Sequence, residues 1–346
     1  MIRRPTLRDI AKVVGVTHAT VSCALRNDPR FPLATRHKIQ AVAKKLGYRP
    51  DPMLSAMSAY RQGIELPKYR GVLGWIENHP TRDGCKKVKR FAEFFRGASE
   101  RAKELGYALE TFWMRDPGLT LQRLTSMLIA RNIQGILIAP LPLGRGHLRL
   151  PWEHFSVVAI GHGLIRPPFH IVAGNQYLAI MTTLHKLRAL GYRRIGFVSH
   201  KSHSESVDYN LLAAFETEQK HLEMKDRIPA LITKKEKTFA EPEFLSWYKQ
   251  HMPKAIITTI PEIFEMLKKI KEKIPKDAGF AVMNMPWCLE NFSGINTNAH
   301  LIGRVATDFL VNMIHRHEKG IPKVPQRLLV EGTWIPGKTL RRVNVV

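Results

Sequence analysis

Residues 6–25 read TLRDIAKVVGVTHATVSCAL, and this stretch decides how the N-terminal part of the chain folds. Its first half repeats apolar residues at the spacing of one helical face, namely Leu7, Ile10, Ala11 and Val14. Thr6 is suited to cap the start of this helix, and Asp9 three residues later completes a capping-box pair. Gly15 tolerates the positive φ of a helix end, so the pattern predicts a short helix that stops at a tight turn.

A second and a third helix are predicted after this turn. Thr17 can cap the second helix, whose buried face would carry Val21, Ala24 and Leu25. The opposite face presents to the outside His18, Ala19, Ser22 and Cys23. The third helix is indicated by apolar residues at Ile39, Val42, Ala43 and Leu46, with Gly47 at its end. Two helices about a glycine-containing turn, braced by a third, are typical of a helix-turn-helix domain that binds DNA.

The distribution of charge favours a nucleic-acid partner for this segment. The chain has 346 residues, 44% of them hydrophobic, which is enough for an ordinary globular core, and its formal net charge is +25. Residues 1–61 contain 12 Lys and Arg against 3 Asp and Glu, whereas the other 285 residues contain 42 against 26. The positive charge per residue is therefore more than twice as high where the helix-turn-helix pattern lies.

Several classes of protein are disfavoured by what the sequence lacks. The three cysteines, Cys23, Cys85 and Cys288, are too far apart for a disulfide framework or a metal-ligand spacing. We find no HExxH or similar metal motif, no glycine-rich phosphate loop and no Ser/His/Asp set, so we expect no enzyme, no cofactor and no metal. No run of 18 apolar residues and no signal-peptide pattern occurs, which predicts a cytoplasmic protein without a membrane segment.

Residues 51–68 are predicted to connect the N-terminal helices to the rest of the chain. Asp51 is suited to cap a helix and Pro52 to occupy its first position, so residues 53–60 can form a short hinge helix. A helix of this length is marginal on its own in water, and it needs its twin in a dimer or DNA to pack against. Its apolar Leu54 and Met57 are candidates for that packing or for insertion between bases.

From residue 69 onward, strand-like and helical patterns alternate. The predicted strands are residues 71–76, 107–113, 135–139, 157–161, 195–199, 255–259 and 279–283. The predicted helices are residues 91–105, 121–131, 177–190, 208–222, 262–271 and 301–315. Short apolar strands that alternate with helices predict parallel sheets covered by helices on both faces. Because this part is large for a single sheet, we expect two α/β lobes with a ligand cleft beyond the carboxyl ends of the strands.

The chain resembles the lactose-repressor family of bacterial transcription regulators. The match is close at residues 6–25, at TRHKI (residues 35–39) and at KKLGYRPDPM (residues 44–53). Looser matches are RALGYRRIGFV (residues 188–198), IPKDAGFAVMN (274–284), HLIGRVATDFLVNMI (300–314) and EGTWIPGKTLR (331–341). The resemblance implies a helix-turn-helix DNA-binding domain at residues 1–50 and a hinge helix and linker at 51–68. It also implies a two-lobed effector-binding and dimerisation domain at 69–346, similar to periplasmic binding proteins.

The function implied by the resemblance is a repressor-type regulator that binds a pseudo-palindromic operator as a homodimer and responds to a small, sugar-like effector. Such a protein would lie in the cytoplasm and associate with the nucleoid when bound to DNA. The implied DNA-binding residues are Thr6, Thr17, His18, Ala19, Thr20, Ser22, Cys23, Arg36, Tyr48, Arg49, Leu54 and Met57. Cys23 stands where the family usually has an arginine that reads guanine, so we expect a changed base preference there. The alternative role of Cys23 is that of a small filler against the third helix.

The residues of the effector cleft carry a weaker signal. Strand ends and the resemblance point to Asn78, Trp113, His162, Asn175, Asn284 and Trp287, although Trp287 is equally suited to the core. Two of these asparagines, Asn175 and Asn284, replace aspartates that are usual in the family. Leu211 stands where many members have an arginine, and these departures argue against a simple sugar effector. We interpret the basic runs at residues 86–90 and 268–276 as solvated faces.

Two other classes of function remain open from the sequence. One is a cytosolic solute-binding or carbohydrate-processing protein with a basic head, and the other is a non-specific DNA-binding protein. The missing export signal argues against a transport receptor, and the missing catalytic set argues against an enzyme. A non-specific binder would prefer no palindrome, whereas a regulator should bind its operator at least ~10³-fold more tightly than other DNA.

Overall fold

A computed structural model of the protein describes residues 5–25, 30–46, 48, 69–82, 84–141, 146–234, 241–283 and 291–343. The first two of these ranges form a helical head, and the residues from 69 onward form two α/β lobes. The predicted hinge helix at residues 53–60 lies outside the described residues, and so do Gly47, Arg49, Asn284 and Trp287. Among the described helices, none is both long and apolar enough to cross a lipid bilayer.

The head consists of helices α1 (Leu7–Val14), α2 (His18–Leu25) and α3 (Leu33–Lys45). The carboxylate of Asp9 accepts a hydrogen bond from the Thr6 backbone N–H at 2.7 Å, which forms the predicted capping box. Gly15 ends α1 with φ 79°, a left-handed conformation that glycine adopts without strain. The three helices bury a small common core made of Ile10, Ala11, Val21, Ala24, Ile39 and Ala43.

The end of the third helix differs from the predicted one in a single respect. Leu46, predicted to lie on the apolar stripe, is 38% exposed because the helix ends at Lys45 and Leu46 is already the C-cap. The ring of Tyr48 packs against the head core instead. At the other end α3 starts directly after Pro32, whose backbone oxygen accepts from the Arg36 N–H at 3.1 Å.

The strands of the two lobes are numbered along the chain. They are β1 (Gly71–Glu77), β2 (Tyr107–Trp113), β3 (Gly135–Ile138), β4 (Gly146–His147), β5 (Ser156–Ile160), β6 (Leu164–Arg166), β7 (His170–Gly174), β8 (Ile195–His200), β9 (Leu231–Thr233), β10 (Ala255–Thr258), β11 (Gly279–Val282), β12 (Ser293–Asn296), β13 (Arg327–Val330) and β14 (Thr333–Ile335). The helices of this part are Gly84–Lys87, Lys89–Glu104, Leu121–Ala130, Gln176–Ala189, Lys201–Ser206, Asn210–Lys220, Glu241–His251, Ile263–Lys269 and Ala299–His315. Every strand predicted above is present to within one residue at each end, and every predicted helix to within two.

The first lobe is built on an all-parallel sheet with the strand order β13-β7-β5-β3-β1-β2. Helices Lys89–Glu104 and Ala299–His315 cover one face, where Phe94, Ala98 and Leu310 are buried. Helix Leu121–Ala130 covers the other face through Leu124 and Leu128. The inner strands β1, β3 and β5 are almost entirely buried, which explains why they read as short continuous apolar runs, whereas the edge strands β2 and β13 are largely exposed or half-buried.

The second lobe has a sheet with the order β14-β12-β11-β10-β8-β9. Helices Gln176–Ala189 and Asn210–Lys220 pack on one face of this sheet, and helices Glu241–His251 and Ile263–Lys269 pack on the other. The expectation of parallel sheets needs one correction, because the edge strand β14 runs antiparallel to β12. The chain enters β14 from the first lobe, through the two residues 331 and 332 that follow β13.

The chain passes between the lobes at three places that lie side by side. These crossings follow β7, β12 and β13. The backbone N–H of Asn175 donates to Val330 O at 2.8 Å, which joins the first crossing to the third. The side-chain amide of Asn298 donates to Glu331 O at 2.9 Å, which joins the second crossing to the third. Hydrogen bonds therefore hold the three crossings together where the chain passes between the lobes.

Candidate functional sites: the head surface and the pocket between the lobes

The first turn of α2 presents an exposed face on the head. His18 and Ala19 are exposed, and Ser22 and Cys23, one turn later, are half-buried. On the other side of the same helix Val21 and Ala24 are completely buried. The helix is therefore held by its apolar face, and its first turn exposes His18 and Ala19 to a partner. Arg36 is half-buried on α3.

The threonines of the head have local roles in the structure. The Thr17 hydroxyl accepts from the backbone N–H of Thr20 at 3.1 Å, and the two hydroxyls lie 2.9 Å apart. The Thr6 hydroxyl lies 2.7 Å from the Asp9 carboxylate within the capping box. These hydroxyls cap helices, so a phosphate contact from them would be an addition to bonds already made. The predicted DNA contacts Arg49, Leu54 and Met57 lie outside the described residues.

A pocket lies between the lobes at the crossings. Its apolar wall is formed mainly by the first lobe, with Phe91, Phe94, Ile160, Ala173 and Ile302, and Val207 adds to it from the second lobe. The polar side chains that line it are Arg90, His162, Gln176, Ser206 and Thr297. A mostly apolar pocket with a few converging polar groups is the usual architecture of a small-molecule site.

Arg90 is the charged group of this pocket, and the sequence reading of its segment as a solvated face is wrong for this residue. It lies at the start of helix Lys89–Glu104, beyond the carboxyl end of β1, with its guanidinium carbon 5.3 Å from the centre of the Phe91 ring. Burial lowers the pKa of Arg90 to about 10. No carboxylate within the described part of the chain is paired with its guanidinium.

Two polar atoms of the pocket are enclosed without a hydrogen-bond partner among the residues described. They are Nδ1 of His162, which follows β5, and Oε1 of Gln176, whose residue is only 9% exposed. Burial, with Arg327 nearby, lowers the pKa of His162, and Asp208 opposes that shift. A buried polar atom without a partner costs free energy, about 1–3 kcal/mol, unless a ligand or water satisfies it.

Two histidines of the second lobe, His200 and His203, lie near the pocket, at the end of β8 and in the helix that follows that strand. Burial, Arg90 and His200 together lower the pKa of His203 to about 3, so the imidazole of His203 is neutral at ordinary pH. The Nδ1 atom of His200 lies 2.8 Å from the Thr233 hydroxyl. The influence of Arg90 on His203 places a first-lobe cation near a second-lobe imidazole.

Three other predicted effector residues, Asn78, Trp113 and Asn175, have structural partners instead. Asn78 Oδ1 accepts from Arg115 Nε at 2.9 Å, and Trp113 Nε1 donates to His79 O at 2.7 Å, both beside the ends of β1 and β2. Asn175 caps helix Gln176–Ala189 by accepting from the Leu178 N–H at 3.1 Å. None of these three residues lines the pocket, whereas His162 does. Leu211 is fully buried in the second lobe and contributes packing only.

Sequence reasoning missed Arg90 and Gln176. A usable signal existed for Gln176, because it is the first residue of the helix that follows β7. Arg90 lies in the second helix after β1, behind helix Gly84–Lys87, so its distance from the strand gave no such signal. The described residues contain no group of three His, Cys, Asp or Glu side chains placed to hold a metal ion.

Two segments of the chain match known families. Residues 6–51 match the family described as "Bacterial regulatory proteins, lacI family", and residues 184–340 match the "Periplasmic binding protein-like domain". The transcriptional regulator PtxS of Pseudomonas plecoglossicida is 26% identical over 217 residues, which are 62% of this chain and 59% of PtxS. The regulator GntR of Escherichia coli K12 is 32% identical over 39% of this chain and 37% of GntR. MalR of Streptococcus pneumoniae is 24% identical over 90% of this chain and 93% of MalR.

Solved structures share the fold over almost the whole chain. The transcriptional regulator CelR in complex with cellobiose superposes with a TM-score of 0.58 at 17% identity, covering 97% of this chain and all of CelR. The lac repressor dimer bound to operator and the anti-inducer ONPF gives a TM-score of 0.54 at 14% identity, over 98% of this chain and all of that one. At these identities the likeness establishes the fold.

Proposed function

Because the chain belongs to the lacI family of bacterial regulatory proteins, we propose that it is a transcription repressor that binds a pseudo-palindromic operator as a homodimer and responds to a small molecule. The observation that carries this proposal is the exposed face of α2, where His18 and Ala19 stand on a helix anchored by buried Val21 and Ala24. A recognition helix needs this arrangement, since its outer face must be free to reach the base edges in the major groove.

Base reading by this head would rest mainly on His18. A histidine has ring nitrogens that can donate to or accept from base edges, whereas Ala19 offers only a methyl group for apolar contact. Cys23 is too short to form the bidentate contact that an arginine forms with guanine. Arg36, Arg49 and the helix N-termini would add phosphate contacts, which position the head without selecting a sequence.

Dimerisation and control belong to the rest of the chain. One head recognises only a half-site, so a palindrome requires a second copy and the hinge segment 51–68 between each head and its lobes. The pocket lies at the three crossings, and a ligand that contacts both lobes favours the lobe arrangement it fits best. Such a ligand changes operator affinity only if it binds the two arrangements unequally. The relatives named above are transcription regulators, and we propose the same non-enzymatic, cytoplasmic role here.

The proposal is tested by selecting duplexes from a randomised DNA pool with the full chain. We expect an enriched pseudo-palindromic motif that is bound at least ~10³-fold more tightly than a shuffled duplex, with affinity that falls steeply as salt rises. His18→Ala should reduce that preference, whereas His37→Ala, a matched change of an exposed histidine on α3, should preserve it. A pool that yields no motif, with equal affinity for all duplexes, would leave non-specific DNA binding as the function.

A further inference from the structure

The pocket between the lobes contains a positive charge that the described protein does not neutralise. Arg90 lines the pocket beside Phe91 and Phe94, and no carboxylate of the described residues pairs with it. Asp208, whose charge acts on His162 in the pocket, lies 3.5 Å from Arg327 and so already has a cationic partner. Holding a guanidinium in such surroundings is unfavourable unless a ligand supplies the missing negative charge.

The second lobe approaches the same place with groups that do not repel an anion. Ser206 and Val207 line the pocket from that side, and His203 is near enough for Arg90 to lower its pKa. Ser206 donates its hydroxyl to His203 O at 2.8 Å, which fixes the short helix that carries both residues. An anion on Arg90 would therefore face Ser206 and Val207 across the pocket.

We propose that the effector is a small organic anion whose carboxylate or phosphate group pairs with the Arg90 guanidinium. The planar guanidinium matches both groups in a two-bond geometry, and a charge-assisted pair in an apolar pocket is strong. This inference rests on the proposed function, because it assigns a chemical class to the molecule that the repressor senses. The unpaired guanidinium distinguishes this pocket from one for neutral sugars, in which we expect an arginine to be absent or paired with a carboxylate.

The remaining polar groups define the rest of the ligand. Gln176 Oε1 accepts only, so it requires a donor such as a hydroxyl group. His162 Nδ1 is the second enclosed atom that a ligand would satisfy. Opposite them, Phe91, Ile160 and Ile302 form an apolar wall suited to the C–H face of a ring or a short chain. The expected ligand is thus a hydroxylated compound with one anionic group at the Arg90 end.

The test uses the full chain without DNA and a matched set of probes: glucose, glucuronate, glucose 6-phosphate and inorganic phosphate, all at one ionic strength. Thermal unfolding followed by calorimetric titration gives the stabilisation and the affinity for each probe. We expect the charged probes to stabilise the wild type and glucose to do so far less. Glucuronate and glucose 6-phosphate differ only in the anionic group at one carbon, so their ranking distinguishes a carboxylate ligand from a phosphate ligand.

Variants decide whether Arg90 is responsible. Arg90→Gln should weaken binding of the charged probes roughly 10- to 100-fold, the equivalent of losing hydrogen bonds to a charged group. Arg90→Lys should recover part of the loss, since it restores the charge without the planar geometry. Lys103→Gln removes the same charge from an exposed position on the same helix and should behave as the wild type.

Two outcomes would overturn the inference. The first is a wild type that responds to glucose as strongly as to its charged relatives. The second is an equal response of the wild type and Arg90→Gln to every anion, including no response from either. Because the anion titrations contain no DNA, their result does not depend on that of the operator selection. If the selection yields a motif but the chain does not respond to anions, only the proposed effector class is wrong. If the chain responds to anions but no motif is selected, only the proposed repressor function is wrong.

Discussion

Gly303→Ala should destabilise the first lobe, because two helices cross there with their backbones in contact. A Cβ at Gly303 would lie 2.1 Å from Phe94 O on helix Lys89–Glu104, and a Cβ at Gly97 would lie 1.9 Å from His300 O. Ordinary contact would require the helices to separate by about 1 Å, which loosens the packing of Ala98 and Ile302 between them. Helix Lys89–Glu104 also carries Arg90, so a displacement of this helix would shift the pocket.

The magnitude follows from two opposing terms. Overpacking a close helix contact costs about 1–3 kcal/mol, whereas replacing glycine by alanine inside a helix recovers about 1 kcal/mol. We therefore expect a net loss of up to about 2 kcal/mol in the free energy of unfolding, or up to roughly 8 °C in the midpoint for a lobe of this size.

Urea unfolding followed by circular dichroism measures this loss. Asn312→Ala is the matched control, because it improves helix propensity at an exposed position of the same helix without a clash and should stabilise by a few tenths of a kcal/mol. Anion binding should weaken in Gly303→Ala and not in Asn312→Ala. If both variants stabilise the protein alike, the close approach of the two helices is refuted, and with it the argument that Gly303 positions the pocket.

Three further predictions concern the head, the hinge and the pH response. Cys23→Arg should favour guanine at one symmetric pair of operator positions by ~1–3 kcal/mol per half-site, and an unchanged motif in a half-site selection would show that Cys23 does not face the bases. Met57→Ala in the hinge should weaken operator binding far more than binding to random DNA, and equal losses in titrations with the two duplexes would remove its assignment as an inserting residue. The pKa of His203 is about 3 in the folded protein, below its ordinary 6.5, so the unfolded chain binds more protons between these values. Stability should therefore be fully present above pH 6.5 and decrease as the pH falls toward 3, and His203→Gln should flatten that part of the curve in urea midpoints measured against pH.

The head and the secondary structure of the lobes are determined locally, which is why they could be predicted. The capping pair Thr6 and Asp9, the left-handed Gly15 and the apolar spacing of α1 and α2 each involve residues within one or two helical turns. Most strands found from sequence are short, largely buried apolar runs, and β2 is a half-buried exception. The strands β7, β12, β13 and β14 were not among the predicted strand runs, because they begin or end beside polar residues and take their strand conformation from partners far along the chain.

The pocket was decided by the tertiary structure. Asn78, Trp113 and Asn175 stand at strand ends, as the prediction required, but neighbouring groups use their polar atoms, a competition that composition and spacing do not reveal. Arg90 belongs to a basic run that reads as a solvated surface, yet it is half-buried and lines a pocket together with Ser206 and Val207 of the second lobe.

From sequence alone, then, this protein is a helix-turn-helix head on a two-lobed α/β domain, since periodicity, capping and charge act over a few residues. The character of its ligand site depends on three chain crossings that bring residues 90, 162, 176 and 206 to one cavity. In this cavity the positive charge of Arg90 is shielded from water and is not paired with a carboxylate of the described residues. That shielding is a property of the surroundings of Arg90, and only the folded chain supplies them.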